Sequence, residues 1–119
     1  QLVSLELGLG TKDIGELGFQ PLIDQASSAI MDVADMAGII DQLDLVICVD
    51  SVAAHVAGAM GKPVWMLTRP GAHWGWLQGR DDSPWYASMS LFRKGPAEDW
   101  TDVASSVRQA LVHILKGTA

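Results

Sequence analysis

The chain reads as an α/β protein, a parallel sheet with flanking helices, and three observations predict it. The run Leu45 to Val49 is apolar without period-two alternation, as expected of a strand buried on both faces. It ends on Asp50-Ser51 and passes at once into a helix of small residues, 52–60. That helix stops at Gly61-Lys62-Pro63, and a second apolar run, Val64 to Leu67, begins directly after it. Strands alternating with helices favour a layered α/β architecture.

The remaining elements follow from the same signals. Leu2 to Glu6 reads as a short strand. Gly8, Gly10, Gly15 and Gly18 then punctuate a loop or loosely helical stretch. Ala29 to Asp32 is expected to be a second short strand. Asp35 is placed to cap a helix from Met36 to Gln42, with Ile39, Ile40 and Leu43 on its apolar face. Arg69 to Ser88 has no period and holds Trp74, Trp76 and Trp85. A loop of that length in a small domain is usually functional or extended over a neighbour. Met89 to Phe92 reads as a last strand. Asp99 or Thr101 starts a closing amphipathic helix carrying Val103, Val107, Ala110, Leu111, Ile114 and Leu115.

At 119 residues the chain is expected to form one domain, 1–119. It is 49% apolar and 18% charged, a globular composition. A net charge of −6 and scattered basic residues argue against nucleic acid and anionic membrane as partners. No apolar run approaches the ~20 residues of a membrane span. Cys48 is the single cysteine, so a disulfide framework or zinc cluster within the chain is excluded; in its strand it reads as a small hydrophobe. No cofactor or metal is implied, and a cytoplasmic location is expected. The chain opens on Gln1 without a signal peptide and is expected to be a fragment of a longer protein.

The chemistry concentrates at the junction after Val49. Ser51 occupies a helix N-cap, where its hydroxyl is expected to accept from a backbone N–H one turn on. The first amides of that helix suit an anion such as phosphate. His55, four residues on, projects from the same face as Ser51. Packing alone also explains this pattern: a capped helix with a histidine satisfied in the core. Asp50 would repel a phosphate and is better suited to sugar hydroxyls. Arg69, His73 and Arg80 lie in a tryptophan-rich loop, where rings stack on a base or sugar and a guanidinium pairs with phosphate. The alternative is that the tryptophans anchor the loop. Asp81 and Asp82 read as a solvated pair and His113 as a surface residue. Gly8-Leu9-Gly10-Thr11-Lys12-Asp13 fits neither the dinucleotide fingerprint nor the P-loop. A phosphoacceptor receiver domain also fails, because no acidic pair follows the first strand.

The run Ala34 to Tyr86 resembles the C-terminal half of glycosyltransferase-B enzymes of the heptosyltransferase-like kind, as in bacterial tetratricopeptide-repeat proteins. The matching pieces are Leu43-Asp44-Leu45-Val46-Ile47-Cys48-Val49-Asp50-Ser51, His55 to Trp65, Trp74-Gly75-Trp76 and Asp81 to Tyr86. In these families an Asp-Thr-Gly-x-x-His motif faces the nucleotide-sugar donor. Asp50, Ser51 and His55 match its acid, hydroxyl and histidine, and Val52 stands at its glycine. Gly75 stands where the tetratricopeptide-linked relatives carry an arginine between two tryptophans.

The resemblance implies a Rossmann-like parallel sheet, an incomplete C-terminal glycosyltransferase-B domain that binds a nucleotide-diphosphate sugar. The donor-binding residues are then Asp50, Ser51, Val52, Ala53, His55, Arg69, His73, Trp74, Trp76 and Arg80, with no catalytic residue in this chain. It also implies a missing N-terminal glycosyltransferase domain that carries acceptor contacts, and an open sheet edge that either another copy, in a homo-oligomer, or a rearranged segment is expected to cover. The competing expectation is a degenerate α/β module serving protein–protein interaction without catalysis, presenting the tryptophan loop.

Overall fold

A computed structural model describes residues 1–117 and places them in two compact units, Gln1–Leu43 and a second from Asp44 onward. The first unit holds β1 (Leu2–Ser4), α1 (Gly10–Glu16), β2 (Ile23–Gln25) and α2 (Val33–Asp41). β1 and β2 pair in parallel, with Leu2 opposite Ile23 and Ser4 opposite Gln25. Gly8 to Gly18 is therefore a helical crossover. α1 closes on Gly18 at φ +74°, where the Phe19 amide donates to Ile14 and the Gly18 amide to Gly15. The second strand lies at 23–25, so the expectation of a strand at Ala29–Asp32 is corrected. Ser27–Ala29 is one 3₁₀ turn, and Asp32 is the cap of α2. Asp32 accepts from the Asp35 amide, and Asp35 accepts from the Met31 amide, a reciprocal cap that starts the helix three residues earlier than expected.

The second unit holds β3 (Val46–Val49), α3 (Val52–Ala59), β4 (Val64–Thr68), β5 (Met89–Arg93) and α4 (Trp100–Gly117). The strands are parallel in the order β3-β4-β5, with Val46 opposite Val64 and Val64 opposite Met89. β4 is the inner strand, and Val64, Trp65, Met66 and Thr68 are buried. β3 is an edge strand: Ile47 is 44% and Val49 56% exposed. This corrects the reading of 45–49 as buried on both faces.

α3 packs on β3 and β4 through Ala54 and Ala57, whose small side chains allow a close approach. It ends on Gly61 at φ +71°, with the Lys62 amide bonded to Ala57 and the Gly61 amide to Gly58. α4 packs on β5. Asp99 caps it, accepting from the amides of Thr101 and Asp102, while Asp102 accepts from the Asp99 amide. Of the predicted α4 face, Val103 is buried and Ile114 and Leu115 are exposed. Among the described residues, no helix is long and apolar enough to cross a membrane.

Candidate functional site

The carboxyl ends of β3 and β4 open onto a cavity of about 540 Å³. Parallel sheets bind ligands on this side, where successive strands deliver loop residues to one place. Val49 and Asp50 come from β3, and Thr68, Arg69, Gly71, Ala72 and His73 from β4 and the loop after it; Trp100 of α4 closes the wall. Thr68 is 3% exposed, and its hydroxyl is buried without a hydrogen-bond partner. An unpaired buried hydroxyl is costly, about 1–3 kcal/mol, and Thr68 is one of the residues lining this cavity.

Asp50 is held from the loop side. Its Oδ2 accepts from the indole N–H of Trp76 at 2.9 Å, and its Oδ1 lies 3.8 Å from Nε2 of His55. The other ring nitrogen of His55, Nδ1, is 2.9 Å from the Tyr86 hydroxyl. The His55 ring lies 5.3 Å from Trp76 and edge-on to Tyr86 at 5.8 Å, centre to centre. Tyr86 in turn lies on α3 at Gly58, where a Cβ would meet its ring carbons at 2.5–2.9 Å.

Ser51 has the extended backbone of an N-cap, but its side chain makes no cap bond, which corrects that expectation. Instead its carbonyl accepts from the amides of Ala54 and His55. The amides of Val52 and Ala53 have no intrahelical acceptor by position, so they face the start of the helix. The Val52 side chain is exposed beside them.

A second cavity, of about 420 Å³, is lined by His55, His73, Trp74, Gly75, Trp76, Trp85 and Tyr86. His73 lines both cavities. Within this loop Trp74–Trp76 form one 3₁₀ turn, and His73 Nδ1 accepts from the Gly75 amide. Trp85 donates its indole N–H to the Gly75 carbonyl at 2.7 Å. The Ser83 hydroxyl accepts from the amides of Trp85 and Tyr86, which sets the direction of both rings. Leu77, next after the turn, sits at φ +52° and ψ −179°, a backbone state held only where neighbours over-determine it.

Arg80 lies apart from this group. It forms a fork with Asp82 at 2.6 and 2.7 Å, which holds the Asp82 carboxyl below its usual range and raises the guanidinium. The structure thus brings together Asp50, His55, His73, Trp74 and Trp76 of the predicted residues, with Arg69 across the shared wall. Tyr86, Gly58, Thr68 and Arg93 were not singled out by sequence reasoning. Arg93 ends β5 and donates to the carbonyls of Arg80 at 2.7 Å and Trp76 at 2.6 Å, clamping the loop to the sheet. Arginine after a strand gave no signal for these partners, which lie 13 and 17 residues away. Cys48 is half-buried; burial first, and Asp50 second, push its thiol up to about 11. Among the described residues, no cluster of metal-ligating side chains occurs.

Over 107 residues the chain is 29% identical to Protein FlbA of Caulobacter vibrioides, covering 89% of this chain and 17% of that protein. The chain thus spans less than a fifth of the length of that relative. No solved structure matches it. Residues 28–74 match the family model of glycosyltransferase family 9 (heptosyltransferase), a segment that includes β3, Asp50, α3, β4 and Arg69. Residues 28–74 are thus glycosyltransferase-like, and they carry the wall shared by the two cavities.

Proposed function

We propose that this chain supplies the donor-binding part of a sugar-transfer site, taking a nucleotide-diphosphate sugar. The observation that carries the reading is the cavity at the carboxyl ends of β3 and β4, whose β3, Asp50, Thr68 and Arg69 fall inside the family 9 match. In this role Arg69 pairs with the diphosphate, and the unpaired Thr68 hydroxyl gives or takes a bond to it. The amides of Val52 and Ala53 steady the leaving diphosphate as the anomeric carbon–oxygen bond breaks. Asp50 orients sugar or ribose hydroxyls with the oxygen that Trp76 leaves free. Transfer needs an acceptor and a base to take its proton. We assign both to a second domain and none of them to this chain. In the same reading, an open sheet edge is the place where a second copy adds a strand.

The test uses two substitutions with opposite signatures. Thr68→Val removes an unpaired hydroxyl, so the thermal midpoint rises by the equivalent of about 1 kcal/mol while affinity for a nucleoside diphosphate falls. Arg69→Ala leaves the midpoint in place and lowers the same affinity. Unchanged affinity in both variants contradicts the reading. A second reading, an interaction module without catalysis, is favoured by one observation: the Asp50 carboxylate already accepts from Trp76. In that case calorimetry finds no nucleotide binding at all.

A further inference from the structure

We propose that the aromatic cavity built from His55, His73, Trp74, Trp76, Trp85 and Tyr86 is a saccharide-stacking subsite that takes an uncharged pyranose ring. It goes beyond the donor reading, because it requires only the tryptophan loop and the face of α3.

Two of the indoles, Trp76 and Trp85, are fixed by hydrogen bonds. Trp76 donates to Asp50, and Trp85 donates to the Gly75 carbonyl, so both N–H edges are used inside the protein. What remains for a ligand at Trp85 is ring face, whereas Trp76 is buried behind the cleft. Trp74 is 75% and Trp85 61% exposed, so the cleft is open on one side. Its volume of about 420 Å³ lies in the range of small-ligand sites, ~300–1,000 Å³. Flat apolar faces at an open cleft suit the C–H face of a pyranose, and the open side lets a longer glycan continue into solvent.

Charge narrows the ligand further. Among the described residues, no Lys, Arg, Asp or Glu lines the cavity, and the Asp50 carboxylate is bonded to the indole N–H of Trp76. An anion there meets repulsion with no compensating cation, which disfavours a nucleotide phosphate or a uronic acid. A quaternary ammonium needs rings closing round it from several sides, whereas two of these indoles face water. The polar capacity left at this wall is His73 Nε2, beyond the Nδ1 that the Gly75 amide occupies, and the second bond of the Tyr86 hydroxyl; a plain hydrocarbon would leave it unused, and sugar hydroxyls match it. Gly75 keeps the cavity in this state. A Cβ there would come to 3.0 Å from His73 Nδ1, and any longer side chain would crowd the turn that carries Trp74 and Trp76.

The test is an NMR titration of the ¹⁵N-labelled chain, following the indole N–H signals. The probes are the methyl pyranosides of glucose, galactose, mannose and N-acetylglucosamine, with cellotetraose and chitotetraose. At least one produces saturable shifts at Trp74 and Trp85. Trp85→Ala weakens that binding roughly tenfold, and so does Trp74→Ala, whose exposed side chain can be removed without unfolding the chain. ADP and choline serve as controls. No shift at these indoles with any of the saccharides, on a folded chain, overturns the proposal. So do shifts at these indoles with ADP or choline and not with saccharides. Shifts at Thr68 and Arg69 with ADP report the donor reading separately, so either idea can fail alone.

Discussion

Gly58 is where α3 lets a loop side chain reach its backbone. The Tyr86 ring lies where a Cβ would come within 2.5 Å, and its hydroxyl is held by His55. Gly58→Ala therefore pushes the ring off the helix. Overpacking costs about 1–3 kcal/mol, against about 1 kcal/mol gained in helix propensity, so a net loss of up to about 2 kcal/mol is expected. A thermal midpoint that rises in this variant contradicts the packing described. Cys48 offers a second residue-scale prediction. With its thiol pushed up to about 11, it is almost wholly protonated at neutral pH. Alkylation by iodoacetamide at pH 8 is then far slower than for a free thiol near ~8.5. A rate equal to that of glutathione would contradict its placement.

At the scale of elements, the reciprocal cap of α4 makes its stability depend on pH. The amides of Thr101 and then Asp102 hold the Asp99 carboxyl below its usual range. A depressed folded value stabilises the fold fully above the ordinary aspartate value, ~3.9, and the contribution is lost as pH falls through the folded value. Urea unfolding from pH 6 downward should lose stability in that window, and Asp99→Asn should lose less, since asparagine caps without titrating. Asp82 is depressed in the same direction, by its hydrogen bonds from Arg80. Identical pH profiles for the two proteins would contradict the cap.

The elements also show what was legible in the sequence. The stop of α3 was, because Gly61-Lys62-Pro63 encodes it locally. Asp32 and Asp35 are both competent caps three residues apart, so the start of α2 was displaced. β2 is only three residues long, too short for a periodic signal, and was missed. The run 45–49 looks the same in an inner or an edge strand. Which neighbour pairs with it is non-local, and the exposure of Ile47 and Val49 could not be read from it. The loop 69–88 stands out in the sequence for its length and its tryptophans, which suit either ligand binding or anchoring of the loop; its geometry rests on partners distant in sequence. Trp76 reaches Asp50 across 26 residues and His55 reaches Tyr86 across 31.

For the whole molecule, parallel pairing decides where chemistry collects. β3 and β4 run the same way, so Asp50 and Thr68–Arg69 emerge at one end of the sheet. β5 joins them in parallel, and Arg93 at its end ties the tryptophan loop back over that end. One polar cavity and one aromatic cavity then share His73. The strand–Asp50–helix junction alone is enough, in the sequence, to put a candidate site at this end of the sheet, beside the alternative of a capped helix with a packed histidine. The division into two cavities depends on the fold of the loop and emerged only with the structure.

The most direct test of the donor reading is an amide-shift NMR titration of the chain with ADP, UDP and GDP. The account predicts saturable shifts with one of them at 50–53 and at Thr68 to His73, around the cavity at the ends of β3 and β4. A folded chain whose amides do not move there at millimolar nucleotide contradicts it.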